Sequence, residues 1–280
     1  MSERARRLPH FVIVGAVKTA TTWIAHQLRC QPGIFLPKAE PHFFSSNYDR
    51  GVAWYRDLFA AARPDQIVGE KSADYLAHPA AVMRLARVLP DARLLVQLRN
   101  PIERAYSDYC MLYRRGSVDG AIDKYLGSAE AEPRFLTGGL YRQHLSRLFD
   151  HFPASQVQVI LYEDIKLRPE ATLQAVGKHI GARAPLLPVA PMTRMNDGSA
   201  AMLPLPLRRL MSPLKPAVAP LRDTRWFQQL HQRLARPVAY PPLTDDLRLR
   251  LRDYYADDVR RLGMLIGRDL RPWLAVGGGK

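Results

Sequence analysis

The sequence predicts an α/β protein with a P-loop-like three-layer fold: a central, mostly parallel sheet flanked by helices on both faces. Three observations carry that prediction. Short, nearly continuous apolar runs at residues 10–14, 66–69, 94–98 and 157–162 read as buried parallel strands. Between them, apolar residues recur at helical spacing, as in Val82, Leu85, Ala86 and Leu89. The two patterns alternate along the chain, which is the signature of a parallel sheet covered on both sides. At 280 residues the chain is read as one domain. Its parts are an α/β core over residues 8–182, an irregular lid region over 183–240, and a C-terminal helix and tail over 241–280.

The first unit sets the pattern. His10-Phe11-Val12-Ile13-Val14 is an apolar run bounded by Gly15. A short turn follows, Gly15-Ala16-Val17-Lys18-Thr19-Ala20, and then a helix with Ile24, Ala25 and Leu28 on one side. Thr21 and Thr22 are expected to cap that helix. Free backbone N–H groups at the helix start, its positive dipole end and Lys18 then converge on one anion site. A Walker A loop places its lysine late, after a second glycine. Here Lys18 precedes the Thr pair and Ala20 stands where a glycine is expected. An ordinary βα turn with a surface lysine is the alternative reading.

After a break at Gln31-Pro32-Gly33, Ile34-Phe35-Leu36 is a short extended piece. Lys38, Glu40 and His42 alternate in the segment that follows, between Pro37 and Phe43-Phe44. As an extended segment it places an ammonium, a carboxylate and an imidazole on one face. A solvent-facing alternation packed by the two phenylalanines fits equally well. Residues 51–59 read as a short helix or turn packed through Trp54, Tyr55 and Leu58. The second long strand runs into Glu70-Lys71, at the carboxyl end where ligands sit in open parallel sheets. A helix over 79–89 leads to the strand ending at Arg99. Asn100-Pro101 starts the next helix, with proline at its first position. Ile102, Ala105, Tyr106, Tyr109, Leu112 and Tyr113 form its apolar stripe, and Ser107 lies off it, about two turns from Arg99. Helices are also expected over 139–152, 169–180 and 245–266, the last turning Leu247, Leu251, Tyr254, Tyr255 and Leu262 inward. Between residues 185 and 220 eight prolines break the pattern. Arg194 and Ser199 fall in a loop-like cluster there, and residues 225–236 read as a short basic amphipathic helix.

Composition narrows the function. The chain is 47% hydrophobic and 24% charged, ordinary for a globular protein, and its net charge is +15. Two cysteines, Cys30 and Cys110, form no disulfide framework and show no metal-ligand spacing. A reducing, cytoplasmic compartment is the default, and residues 2–7 read as a solvated tail. No zinc finger, helix-turn-helix or RNP-like strand is visible, so the charge does not indicate nucleic acid. It fits anionic small molecules and allows weak contact with a membrane surface. The sequence assigns no oligomeric state.

Four segments stand in order: GAVKTATTWI, KAEPHFF, GEKSADYL and LRNPIERAYSDY. Together they resemble the PAPS-dependent sulfotransferases, in particular the heparan sulfate sulfotransferase branch with its bacterial members. The helix GLYRQHLSRLFDHFP, the strand VQVILYEDI and the C-terminal DDVRRLGMLIGRDLRPWL extend the resemblance over nearly the whole chain. It implies a sulfotransferase using 3′-phosphoadenosine 5′-phosphosulfate (PAPS), releasing PAP, with no metal required. Lys18, Thr19, Ala20, Thr21 and Thr22 would form the 5′-phosphosulfate loop, and Arg99 with Ser107 would hold the 3′-phosphate. Glu40 would be the catalytic base, with His42 and Lys71 at the sulfuryl oxygens. Two departures stand out: Ala20 replaces a glycine, and the lysine-glycine pair of the closing loop has no match. Arg194–Ser199 is the expected substitute. The acceptor would be a glycan, lipid or small metabolite, sulfated on oxygen or nitrogen. An ATP-dependent small-molecule kinase and a non-catalytic PAP-binding protein are the rival readings.

Overall fold

A computed structural model describes residues 8–189 except 129 and 131, residue 235, and residues 237–275. Five parallel strands form the sheet: β1 (Phe11–Gly15), β2 (Ile34–Phe35), β3 (Ile67–Lys71), β4 (Arg93–Leu98) and β5 (Val157–Leu161). Their order is β2-β3-β1-β4-β5, and every pairing between neighbours is parallel. The predicted α/β architecture is therefore present, and the sheet of the described residues is wholly rather than mostly parallel. Strand order reverses beside β1, so the crevice between β1 and β4 is the switch point where such sheets bind ligands.

Period-two alternation divides the core into two layers. Phe11 and Ile13 of β1 and Leu95 of β4 pack against α1 (Thr21–Arg29) and α9 (Pro169–Ile180). Val12, Val14, Leu94, Val96 and Leu98 point to the other face. There they meet α3 (Ala81–Val88), α4 (Pro101–Arg115), α7 (Tyr141–Phe149) and α10 (Asp245–Ile266). The remaining short helices are α2 (Gly51–Asp57), α5 (Ile122–Leu126), α6 (Pro133–Thr137) and α8 (Tyr162–Leu167). Asn100 caps α4, its side-chain oxygen accepting from Ile102 N at 2.9 Å ahead of Pro101.

Several expectations are corrected. Tyr162 leaves the strand and starts α8. The helix expected over 139–152 is shorter, although Phe152 beyond it is still buried. On α10 Tyr254 is 38% exposed rather than inward, and Val259, which the sequence reading did not include, is buried. Residues 2–7, the basic segment 225–236 up to residue 234, and Arg194 and Ser199 lie outside the described residues. Among the described residues no helix is long and apolar enough to cross a membrane.

The turn after β1 is built on left-handed backbone. Gly15 has φ 143°, Lys18 φ 70° and Ala20 φ 71°. A Cβ at Gly15 would sit 2.6 Å from the Ala73 carbonyl oxygen. That contact brings the end of β1 against the segment following β3. Ala20 is itself the N-cap of α1 and supplies no side-chain cap; Thr21 is the first helical residue. The expected Thr cap is therefore absent, because the cap position falls one residue earlier. A left-handed cap explains why a glycine suits residue 20. Ala20→Gly should melt at or above the parent temperature, whereas Gly15→Ala should lose about 1–3 kcal/mol; thermal unfolding monitored by circular dichroism measures both.

Candidate active site

A cavity of about 640 Å³ opens at the carboxyl ends of the strands. Lys18, Ala20, Thr21, Thr22, Glu40, His42, Lys71, Arg99 and Ser107 all line it. Nine of the sequence-predicted residues thus meet in one place, although they come from four separate segments. Thr19 does not line it. It is fully buried, and its hydroxyl donates to the Ala16 carbonyl at 2.7 Å. Its role is to fold the turn, which is also tied to β4: Ala16 N donates to Gln97 O at 2.8 Å, and Gln97 Nε2 reaches Thr19 O at 3.4 Å.

Lys18 occupies the positive end of this cavity. Burial pulls its ammonium pKa below the ordinary lysine value. The Asp108 carboxylate opposes that shift, and the guanidiniums of Arg99 and Arg115 add to it. A desolvated ammonium crowded by other cations gains strongly from an anionic ligand. Arg99 lies over the Tyr162 ring, 5.0 Å from its centroid, and within 3.9 Å of Glu103. Ser107, Met111 and Arg115 follow at i, i+4 and i+8, so one face of α4 lines the cavity.

The opposite wall is a loop held by the end of β3. Glu40 Oε1 accepts from Lys71 Nζ at 2.7 Å, and Oε2 accepts from Ala73 N at 3.0 Å. Lys71 Nζ also reaches Thr22 Oγ1 at 3.4 Å. His42 N donates to Ser72 Oγ at 3.0 Å, and its Nδ1 lies 2.8 Å from Asp74 Oδ1. The segment around residues 38–42 is irregular rather than extended, and His42 has φ 48°. Period two consequently fails: Glu40 and His42 face the cavity, while Lys38 is exposed and outside its lining.

Glu70 and Lys71, read together as a charged pair, separate because consecutive strand residues face opposite ways. Lys71 joins the cavity; Glu70 is 0% exposed. Its carboxyl accepts from Tyr55 Oη at 2.7 Å, Ser72 Oγ at 3.2 Å and Tyr75 Oη at 3.3 Å. Burial pushes its pKa up to about 8, against the downward pull of those three donors.

The sequence reading missed several lining residues: Trp23, Asp74, Met111, Arg115, Arg134, Tyr162 and Lys166. Met111 and Arg115 were available from helical spacing off Ser107, and Tyr162 from its place at a strand end. Arg134 was not, since it is placed by an ion pair to buried Asp108 at 3.4 Å, across a separate helix.

Comparison with known proteins places this geometry. Residues 60–185 match the sulfotransferase family. A crystal structure of a sulfotransferase from Alicyclobacillus acidocaldarius superposes with a TM-score of 0.71 at 27% identity, covering 96% of this chain and 100% of that one. The likeness is to sulfotransferases. Heparan sulfate glucosamine 3-O-sulfotransferase 3A1 of Homo sapiens is 31% identical over 65% of this chain and 47% of its own length. A bifunctional heparan sulfate N-deacetylase/N-sulfotransferase of Caenorhabditis briggsae is 31% identical over 64% of this chain and 23% of its own. The chain therefore spans about half the length of the 3-O-sulfotransferase it matches, and less of the bifunctional protein.

The buried carboxyl yields a test. Because the folded-state pKa of Glu70 is raised from 4.5 to about 8, between those values the folded protein keeps a proton that the unfolded chain has released. Its contribution to stability therefore falls as pH rises through that window, by at most about 1.4 kcal/mol per pH unit. Urea unfolding at several pH values across it should show a flatter slope for Glu70→Gln than for the parent.

Proposed function

We propose that this chain transfers a sulfuryl group from PAPS to a hydroxyl or amine of an acceptor. One observation carries the reading: a single cavity joins a cationic strand-end turn, an arginine–serine pair and a carboxylate on the facing wall. The donor set suits a ligand with anionic groups at two ends. Lys18 and the backbone of residues 19–22 would hold the 5′ end; Arg99 and Ser107 would hold the 3′-phosphate. When bound, PAPS supplies an activated sulfuryl group on a phosphate leaving group.

The chain's own residues do the rest. Glu40 takes the proton of the attacking hydroxyl or amine as the bond to sulfur forms. Lys18 offsets charge that grows on the leaving oxygen, and Lys71 faces the sulfuryl oxygens while anchoring Glu40. Rate enhancement then comes mainly from positioning and a preorganised field. The family members named above support a carbohydrate acceptor; lipids and small metabolites offer the same nucleophiles. Mass spectrometry of a cell extract incubated with the protein and PAPS identifies which compound gains sulfate.

Glu40→Gln should lower turnover by about 100-fold or more while PAP still binds; steady-state kinetics alongside PAP titration calorimetry reads both, and near-parental kcat removes the base assignment. Arg99→Ala should weaken PAP by about 10- to 100-fold, through loss of a charge-assisted contact. Adenosine 5′-phosphate, which lacks the 3′-phosphate, should lose far less. Equal losses for the two nucleotides would take Arg99 out of the 3′ site.

A further inference from the structure

The geometry points to Asp74 as a positioning residue for sulfuryl transfer, acting through His42. This rests on the sulfotransferase reading of the cavity. His42 is anchored twice by the segment after β3. Its backbone N–H donates to Ser72 Oγ at 3.0 Å, and that hydroxyl in turn donates to the buried Glu70 carboxyl at 3.2 Å. Its ring Nδ1 lies 2.8 Å from Asp74 Oδ1. An ionised carboxylate only accepts hydrogen bonds, so the proton of that contact sits on Nδ1.

The consequence is a fixed tautomer. With Nδ1–H committed to Asp74, Nε2 is the nitrogen left for the reacting groups in a cavity that both residues line. The left-handed backbone at His42, φ 48°, is a second sign that the loop is held in a demanding shape by its surroundings. Glu40, two residues earlier, is fixed by Lys71 and Ala73 N from the same segment. Residues 70–74 thus set proton acceptor and imidazole in one register, and Asp74 sets the ring's plane and tautomer.

The test compares Asp74→Asn, Asp74→Glu and the parent, all as the full chain. Asparagine keeps the size but also offers an N–H, so it lets the ring adopt the other tautomer. Nitrogen-15 NMR of His42 at mildly alkaline pH should show a protonated Nδ1 in the parent and a shift toward Nε2–H in Asp74→Asn. With radiolabelled PAPS and heparan sulfate as the probe acceptor, Asp74→Asn should lower kcat by about 10- to 100-fold, as expected for a misplaced reacting group. The KM for PAPS and the melting shift given by PAP should stay unchanged, and Asp74→Glu should recover part of kcat. An unchanged tautomer in Asp74→Asn, or a parental kcat, overturns the assignment. A parent that neither binds PAP nor transfers sulfate overturns the functional reading instead, while the NMR result still decides whether Asp74 sets the His42 tautomer.

Discussion

The site depends on one constraint: the chain leaving β3 holds the loop that carries Glu40 and His42. Five consecutive residues take part. Glu70 anchors Ser72 from the core, Lys71 binds Glu40 from the cavity, Ser72 takes the His42 N–H, Ala73 donates its own N–H to Glu40, and Asp74 holds the His42 ring. Strand alternation makes this possible. Because neighbours point to opposite faces, the same short run reaches down into the core and out into the cavity. The loop itself has no regular backbone pairing to fix it, so these contacts replace the ladder it lacks.

A second constraint fixes the wall that carries Lys18. The turn after β1 is threaded between Ala73, just past the end of β3, and Gln97 of β4. It uses positive φ at Gly15, Lys18 and Ala20 to do so. Lysine and alanine pay a conformational cost there that glycine would not. In return, the Lys18 ammonium is half-buried among cations, where the field of an incoming anion acts with little solvent screening.

Much of this was legible in the sequence, and the limits have physical causes. The strand runs from Phe11, Ile67, Leu94 and Val157 were readable because buried parallel strands are apolar on both faces. Lys18, Glu40, His42, Lys71, Arg99 and Ser107 were readable as ordered segments resembling a family, and the fold gathers them at one rim. The orientation of Lys38 was not, because period two holds only in an extended segment and this one is irregular. The Thr21 and Thr22 cap was misplaced since a left-handed alanine took the cap position, which no side-chain rule anticipates. Asp74 and Arg134 escaped because their roles arise from contacts between distant segments: Asp74 to His42, Arg134 to Asp108.

A parallel sheet has a polarity, and here it divides labour between two rims. The cavity lies at the carboxyl ends of the strands, whereas the turns near Gly33, Pro90 and Pro153 lie at the opposite rim. That opposite rim is where insertions, affinity tags or tethers to a surface can be grafted while the cavity stays open.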